Sequence, residues 1–242
     1  PFKDFKDIIS QRVLAHPDKV AFRFTENKED KTVTYKQHQE NINALGTAIV
    51  HAGFKNEHIA MVGENCYEWI LTQITVLGSD NAYVPVDKEL PLVDLLNVIK
   101  HSDASLVFCT GVFARCLAEN RDKLPNVKKF VCYRPKDEIP EGFIDAKDFM
   151  EEGRKLLESG DKTFVDATID AEEMTILLFT SGTTSKSKAV MLSQKNICKN
   201  LEGMFSMLYI DPNDVFFSVL PLHHTYECTC GFLGQIYRGT TV

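Results

Sequence analysis

The sequence predicts an α/β fold in which parallel β-sheets are flanked by helices. Three observations predict it. Short apolar runs of strand length alternate with stretches of helical spacing along most of the chain. The runs "HIAMV", "AYVPV" and "SLVFC" are apolar at nearly every position, as strands buried on both faces are. With 44% hydrophobic and 25% charged residues among 242, the chain can build a sizeable core.

The elements follow in order. Phe2, Phe5, Ile9 and Val13 put an apolar stripe on a first helix that Pro17 ends. "KVAFRF" then reads as a strand. Thr34 and Gln37 form a capping box for a helix carrying Ile42, Leu45 and Ile49, and Gly53 stands where that helix should stop. After the strand "HIAMV", Asn65 and Glu68 are expected to cap a helix with Trp69, Ile70, Ile74 and Leu77 inward. "AYVPV" is the next strand. Pro91 opens a helix expected to turn Leu92, Leu95, Leu96 and Ile99 to the core, and "SLVFC" is again a strand.

Residues 134–173 are charged, with two prolines and three glycines, and read as a stretch wrapping the surface. The rhythm resumes with a strand at 175–179, a second at 188–192, a helix from Ser193 to about Leu208 and a strand at 215–219. "TYECTCGFLGQIYRG" reads as a helix, in which Gly231 and Gly234 suit ordinary close packing. The closing "TTV" reads as the start of a strand with no obvious neighbour, so the chain is expected to be part of a longer one.

The bulk numbers exclude some functions. A net charge of -7 argues against a nucleic-acid binder, though not against a nucleotide site, where local charge decides. No apolar run approaches a membrane span. The charged N-terminal stretch "PFKDFKDIISQRV" is no signal peptide. Seven scattered cysteines are then expected to be free thiols in a reducing, cytoplasmic setting.

The chemistry concentrates in "FTSGTTSKSKAV", residues 179–190. Six hydroxyls, one glycine and two lysines lie between two apolar runs. A loop that only turned the chain would need Gly, Asn, Asp or Pro. Phosphate oxygens, by contrast, want many short hydrogen bonds and nearby positive charge. Gly182 lets the backbone curl close. Thr180, Ser181, Thr183, Thr184 and Ser185 can turn hydroxyls inward. Lys188 is the charge partner, and Lys186 can swing in. The loop is not a Walker loop: Ser187 stands at the second glycine position, Ala189 stands where the metal-binding hydroxyl belongs, and a strand follows instead of a helix. A solvated Ser/Thr linker remains the plain alternative.

Residues 179–190 resemble the glycine/serine/threonine loop of the adenylate-forming superfamily of acyl-CoA synthetases, luciferases and peptide-synthetase adenylation domains. "VTYKQ", "NCYEWILTQITVLGSDNAYVPVD" and "LPLHHTYE" resemble three further family stretches in the expected order. The resemblance runs from the first helix to Val242 and leans toward the long-chain fatty acyl-CoA ligase branch. Ser185 and Ala189 replace glycines, and Ser187 a proline, of the commonest loop. Thr180, Ser181, Gly182, Thr183, Thr184 and Lys188 remain.

The resemblance implies the N-terminal part of an AMP-binding adenylation domain over 1–242. It implies a carboxylate, such as a fatty acid, attacking ATP with Mg²⁺, followed by transfer of the acyl group to coenzyme A. A carboxylic acid is already ionised at neutral pH, so the first step needs no general base. It needs donors and cations to offset repulsion between anions, about 4 kcal/mol for unit charges at 4 Å and an effective dielectric of about 20. The same resemblance gives Thr180 a metal-side role and His224 a place beside the reacting carboxylate. His223 matches no role, while Trp69 and Tyr83 read as core.

Further implied parts lie beyond Val242, so residues 1–242 alone are expected to be inactive or nearly so, binding phosphate at most. A carrier-protein thiol in place of coenzyme A, and a non-catalytic phosphate-binding lobe, stay open. Peripheral membrane contact is compatible with a fatty-acid enzyme, but no basic amphipathic helix marks it. No oligomeric state is read from the sequence. A zinc site from His223, His224, Cys228 and Cys230 is disfavoured, because adjacent histidines point apart and C-x-C is not a knuckle spacing.

Overall fold

The computed structural model describes residues 2–180 and 188–242. Its centre is a seven-stranded sheet built from β3 (His58–Val62), β4 (Ala82–Val86), β5 (Ala104–Thr110), β6 (Lys129–Tyr133), β7 (Phe143–Asp145), β8 (Met174–Thr180) and β9 (Lys188–Ser193). The spatial order is β7-β6-β5-β3-β4-β8-β9, and every pair is parallel except the β8–β9 hairpin. A separate antiparallel pair joins β1 (Val20–Glu26) to β2 (Glu29–Thr34).

Alternate side chains of the central strands feed two cores. Ile59, Met61, Tyr83, Leu106 and Phe108 face a layer formed by α1 (Phe5–Ala15), α2 (Tyr35–His51), α3 (Tyr67–Leu77) and α6 (Ala146–Glu158). Ala60, Val62, Val84, Val107 and Cys109 face α4 (Leu92–His101) and α5 (Gly111–Glu119). Both faces are covered, which is why these strands read as unbroken apolar runs. Trp69 and Tyr83 are core residues, packed edge to face with ring centres 6.3 Å apart.

Local sequence explains most boundaries. Thr34 and Gln37 form the capping box at α2, and Gly53 follows that helix with φ +88°. Ser193 caps α7 (Gln194–Met207) through a second box with Asn196. Pro91 caps α4, and Leu95, Leu96 and Ile99 are buried, but Leu92 is exposed because it falls on the solvent side of the first turn.

Four further expectations are corrected. Residues 134–173 do not merely wrap the surface. They include β7 and α6, whose Phe149 is buried and whose Gly153 sits against the α2 backbone. The 215–219 strand reduces to one bridge, Val215 with Thr241, since neighbouring Phe217 and Val219 are exposed. "TTV" does have neighbours: Val242 N–H donates to Ala21 O at 2.9 Å, and Arg23 N–H donates to Val242 O at 2.7 Å. The helix after Tyr226 opens as a π stretch over Glu227–Leu233 before α8 (Gly234–Arg238). Glu227 is buried there, hydrogen-bonded to Ser218, and a Cβ at Gly231 would collide with its carboxylate.

Candidate functional site

Thr180 ends β8 and Lys188 begins β9, and the two are cross-strand partners. Strand β8 runs parallel to β4, so this end of the hairpin lies at the carboxyl ends of the parallel strands, where open α/β sheets bind ligands. Both side chains are exposed. Thr180 Oγ1 donates a long bond, 3.4 Å, to Lys188 O, and its lone pairs accept no hydrogen bond among the described residues. Lys188 enters no ion pair among the described residues. The remaining loop candidates, Ser181, Gly182, Thr183, Thr184 and Ser185, lie outside the described residues.

The segment 220–226 carries the two histidines, and Asn65 holds it. Its Nδ2 donates to Leu220 O at 2.7 Å, and its Oδ1 accepts from Leu222 N–H at 3.1 Å. This is a correction: Asn65 does not cap α3, whose N-cap is Cys66 without a side-chain bond. Glu68 also has another task, a two-pronged pairing with Arg134 at 2.9 and 2.7 Å.

The adjacent histidines diverge. His224 is exposed, and its Nδ1 accepts from Tyr226 N–H at 3.3 Å. His223 is half-buried, with Nε2 3.3 Å from Asp87 Oδ1, immediately after β4. Asp87 is itself fixed by Glu89 N–H at 2.8 Å. Burial holds the His223 imidazole below its ordinary pKa, against the opposing pull of Asp87.

His223 also lines a narrow apolar cavity with Leu178, Leu192, Ile197 and Leu222. The space is about 20 Å³, room for one water. Gln73 and Cys228 line it too, and Gln73 Nε2 donates to Cys228 Sγ at 2.9 Å. Burial pushes the Cys66 and Cys228 thiols up to about 12, so neither is a nucleophile near neutral pH. Cys230 instead contacts Met204 Sδ at 3.6 Å, and no metal-holding group of three or more His, Cys, Asp or Glu occurs among the described residues.

Thr180 and Lys188 are brought together as cross-strand partners. The sequence reading matched His223 to no role and did not single out Asp87 or Gln73. Asp87 follows an apolar strand directly, which was the available signal, while Gln73 shares its helix with Glu68, Thr72 and Thr75 and does not stand out there.

The chain resembles Long-chain-fatty-acid--CoA ligase 5 of Rattus norvegicus, 29% identical over 252 residues that cover 93% of this chain and 35% of that protein. It is also similar to Fatty acyl-CoA synthetase A of Dictyostelium discoideum, 28% identical over 210 residues, covering 81% of this chain and 30% of that one. The chain thus spans about a third of the length of these relatives. Its fold matches the solved anthranilate CoA ligase AuaEII in complex with anthranoyl-AMP, with TM-score 0.87 and 18% identity over 99% of this chain and 44% of that one. No described helix is long and apolar enough to cross a membrane. The AMP-binding enzyme family matches residues 9–242, the hairpin and the histidine segment included, and the chain belongs to that family of adenylate-forming enzymes.

Proposed function

We propose that the protein activates a carboxylic acid with ATP, releasing pyrophosphate, and passes the acyl group from the adenylate to the thiol of coenzyme A. A fatty acid is the acid favoured by the names of the relatives. The observation that carries this reading is the pairing of Thr180 with Lys188 at the carboxyl end of the sheet, on the same hairpin whose Leu178 and Leu192 line an apolar cavity.

The residues suit a metal-bound polyphosphate. An exposed ammonium at Lys188 offsets phosphate charge, and the exposed hydroxyl oxygen of Thr180 can face a cation. Mg²⁺, when bound, would spread the charge of the phosphates and the departing pyrophosphate. Lys188 would hold the phosphates through the displacement. His224, exposed on the neighbouring segment, would position the carboxylate by hydrogen bond, and Ser181, Gly182, Thr183, Thr184 and Ser185 would complete the phosphate contacts.

Exchange of labelled pyrophosphate into ATP by the whole protein, run with acids from acetate to palmitate, tests the reading. Exchange that requires an acid is the expected result, and ATP hydrolysis indifferent to any acid would refute it. Thioester formation with coenzyme A, followed separately, distinguishes that acceptor from a carrier-protein thiol.

A further inference from the structure

The two steps of the proposed reaction ask different things of the protein. A carboxylate attacks ATP already ionised, whereas a thiol, with a pKa of about 8.5, is only a few per cent ionised at neutral pH. The second step therefore gains from a group that takes the thiol proton. His224 does not suit that task. Its Nδ1 already accepts from Tyr226 N–H at 3.3 Å, so its Nε2 carries the proton and can only donate. His223 is the reverse. Its Nε2 lies 3.3 Å from Asp87 Oδ1, a carboxylate that can only accept, so the proton belongs on Nε2 and the lone pair on Nδ1. With 19% of its side chain open, the ring is not sealed in.

The pair stands in the candidate site. Strands β4 and β8 are parallel, with Tyr83 opposite Ile176. Four residues on from that pair come Asp87, directly after β4, and Thr180, the last residue of β8, which is opposite Lys188. Steps of two keep side chains on one face of a sheet, so Asp87, Thr180 and Lys188 form one row on the face that Ile176, Leu178 and Leu192 share. His223 lies on that face, on a cavity wall with the same three side chains. The charged and titratable groups about it are Asp87, Lys88 and Glu89 after β4 and His224 beside it. Lys88 is occupied by Glu89 at 2.7 Å. Leu178, Leu192, Ile197 and the protonated thiol of Cys228 close the rest. Burial among them keeps the imidazole neutral near pH 7.

We propose that His223 is the general base of the second step, with Asp87 as its positioning residue. The inference rests on the acid-activating reading above and deepens it. Nδ1 takes the proton as the S–H bond breaks, and the sulfur bonds to the acyl carbonyl carbon. The bond from that carbon to the phosphate oxygen of the adenylate then breaks, and AMP leaves with the electron pair. The imidazolium faces the carboxylate of Asp87 until it returns its proton to water. The adjacent histidines thus divide the work: His224 donates to the carboxylate of the first step, and His223 accepts from the thiol of the second.

The test separates the two steps in the whole protein. Pyrophosphate exchange reads the first, with whichever acid from acetate to palmitate exchanges fastest. Thioester formation in a single turnover, on adding coenzyme A to the bound adenylate, reads the second as a function of pH. In the wild type the second step is expected to level off above about pH 6.5. In His223→Gln it is expected to be at least about tenfold slower at about pH 7, beyond any loss in exchange, and to climb about tenfold per pH unit until the thiol ionises near about 8.5. Asp87→Asn, whose amide can donate to Nε2 and turn the lone pair away from Nδ1, is expected to show the same climb, and Asp87→Glu to recover part of the rate. Equal losses in both steps, or the wild-type pH profile in His223→Gln, overturn the inference. Should the variants fail to fold, the wild type alone decides: a second step that climbs to about pH 8.5 overturns the inference, and one that levels off below about pH 7 upholds it. Normal exchange with thioester formation indifferent to His223 leaves the activation reading standing and removes this one. Absence of acid-dependent exchange in the wild type removes both.

Discussion

The backbone N–H of Leu222 donates to Oδ1 of Asn65, 157 residues earlier in the chain, while Asn65 Nδ2 returns a bond to Leu220 O. One side chain just after β3 thus fixes the segment that carries His223 and His224. Replacing Asn65 with Ala removes two hydrogen bonds of about 1 kcal/mol each. The variant should melt roughly 2–8 °C lower by calorimetry. Acid-dependent pyrophosphate exchange should fall further than this loss explains, because the histidine segment loses its anchor. A melting point and exchange rate both equal to wild type would show that the clamp is idle.

Lys188 is exposed and contributes little to folding. Lys188→Ala should therefore leave the melting temperature within about 2 °C, since surface changes usually stay within about ±0.5 kcal/mol. Pyrophosphate exchange should fall by about a hundredfold, the usual effect of removing one fixed donor from developing charge. Lys188→Arg should recover part of the loss. A hundredfold loss accompanied by unfolding would point to a structural role instead.

Gly153 lies where α6 meets α2, and a Cβ there would collide with the carbonyl of Ala44. Gly153→Ala should destabilise by about 1–3 kcal/mol despite the better helix propensity of alanine. Denaturant titration gives the answer directly: an unchanged or raised midpoint would mean that the two helices separate at no cost.

His38 is fully buried, its Nδ1 2.9 Å from Tyr67 Oη, and burial lowers its pKa to about 3. Because the folded value lies below the unfolded one of about 6.5, the unfolded chain binds the extra proton between these pH values. The stability tied to neutral His38 is fully present above about pH 6.5 and is lost as the pH falls toward 3. The slope approaches about 1.4 kcal/mol per pH unit for this one group. Urea unfolding from pH 7 to pH 4 should show the decline, and His38→Gln should flatten it. A slope identical in the two proteins would exclude His38 as its source.

The parallel sheet could be read from the sequence because β3, β4 and β5 are buried on both faces, leaving runs that nothing else explains. The α2 boundary was equally plain, since Thr34 and Gln37 act within four residues of each other. Helix α6 escaped notice because its apolar contacts are few, Phe149 and Ala146 among charges, and its close approach depends on Gly153 and a helix a hundred residues away. Asn65 was misjudged for a related reason. Its spacing to Glu68 imitates a cap, but its partners are remote backbone groups that no local pattern announces. The phosphate-loop candidates were visible as residue types, and the strand register that sets Thr180 opposite Lys188 came only with the structure. Gln73 and Asp87 became relevant only through the cavity and the His223 contact, which are products of the tertiary arrangement.

The pairing of Val242 with Ala21 and Arg23 sets an order of events during synthesis. Strand β1 can join β2 at once, but its other edge stays bare until the ribosome has added some 220 residues. At about 5–20 residues per second that wait lasts roughly 10–45 s. The nascent chain must keep that edge from sticking to other chains throughout. Within residues 1–242, the β1–β2 hairpin can therefore form early and is locked in place late.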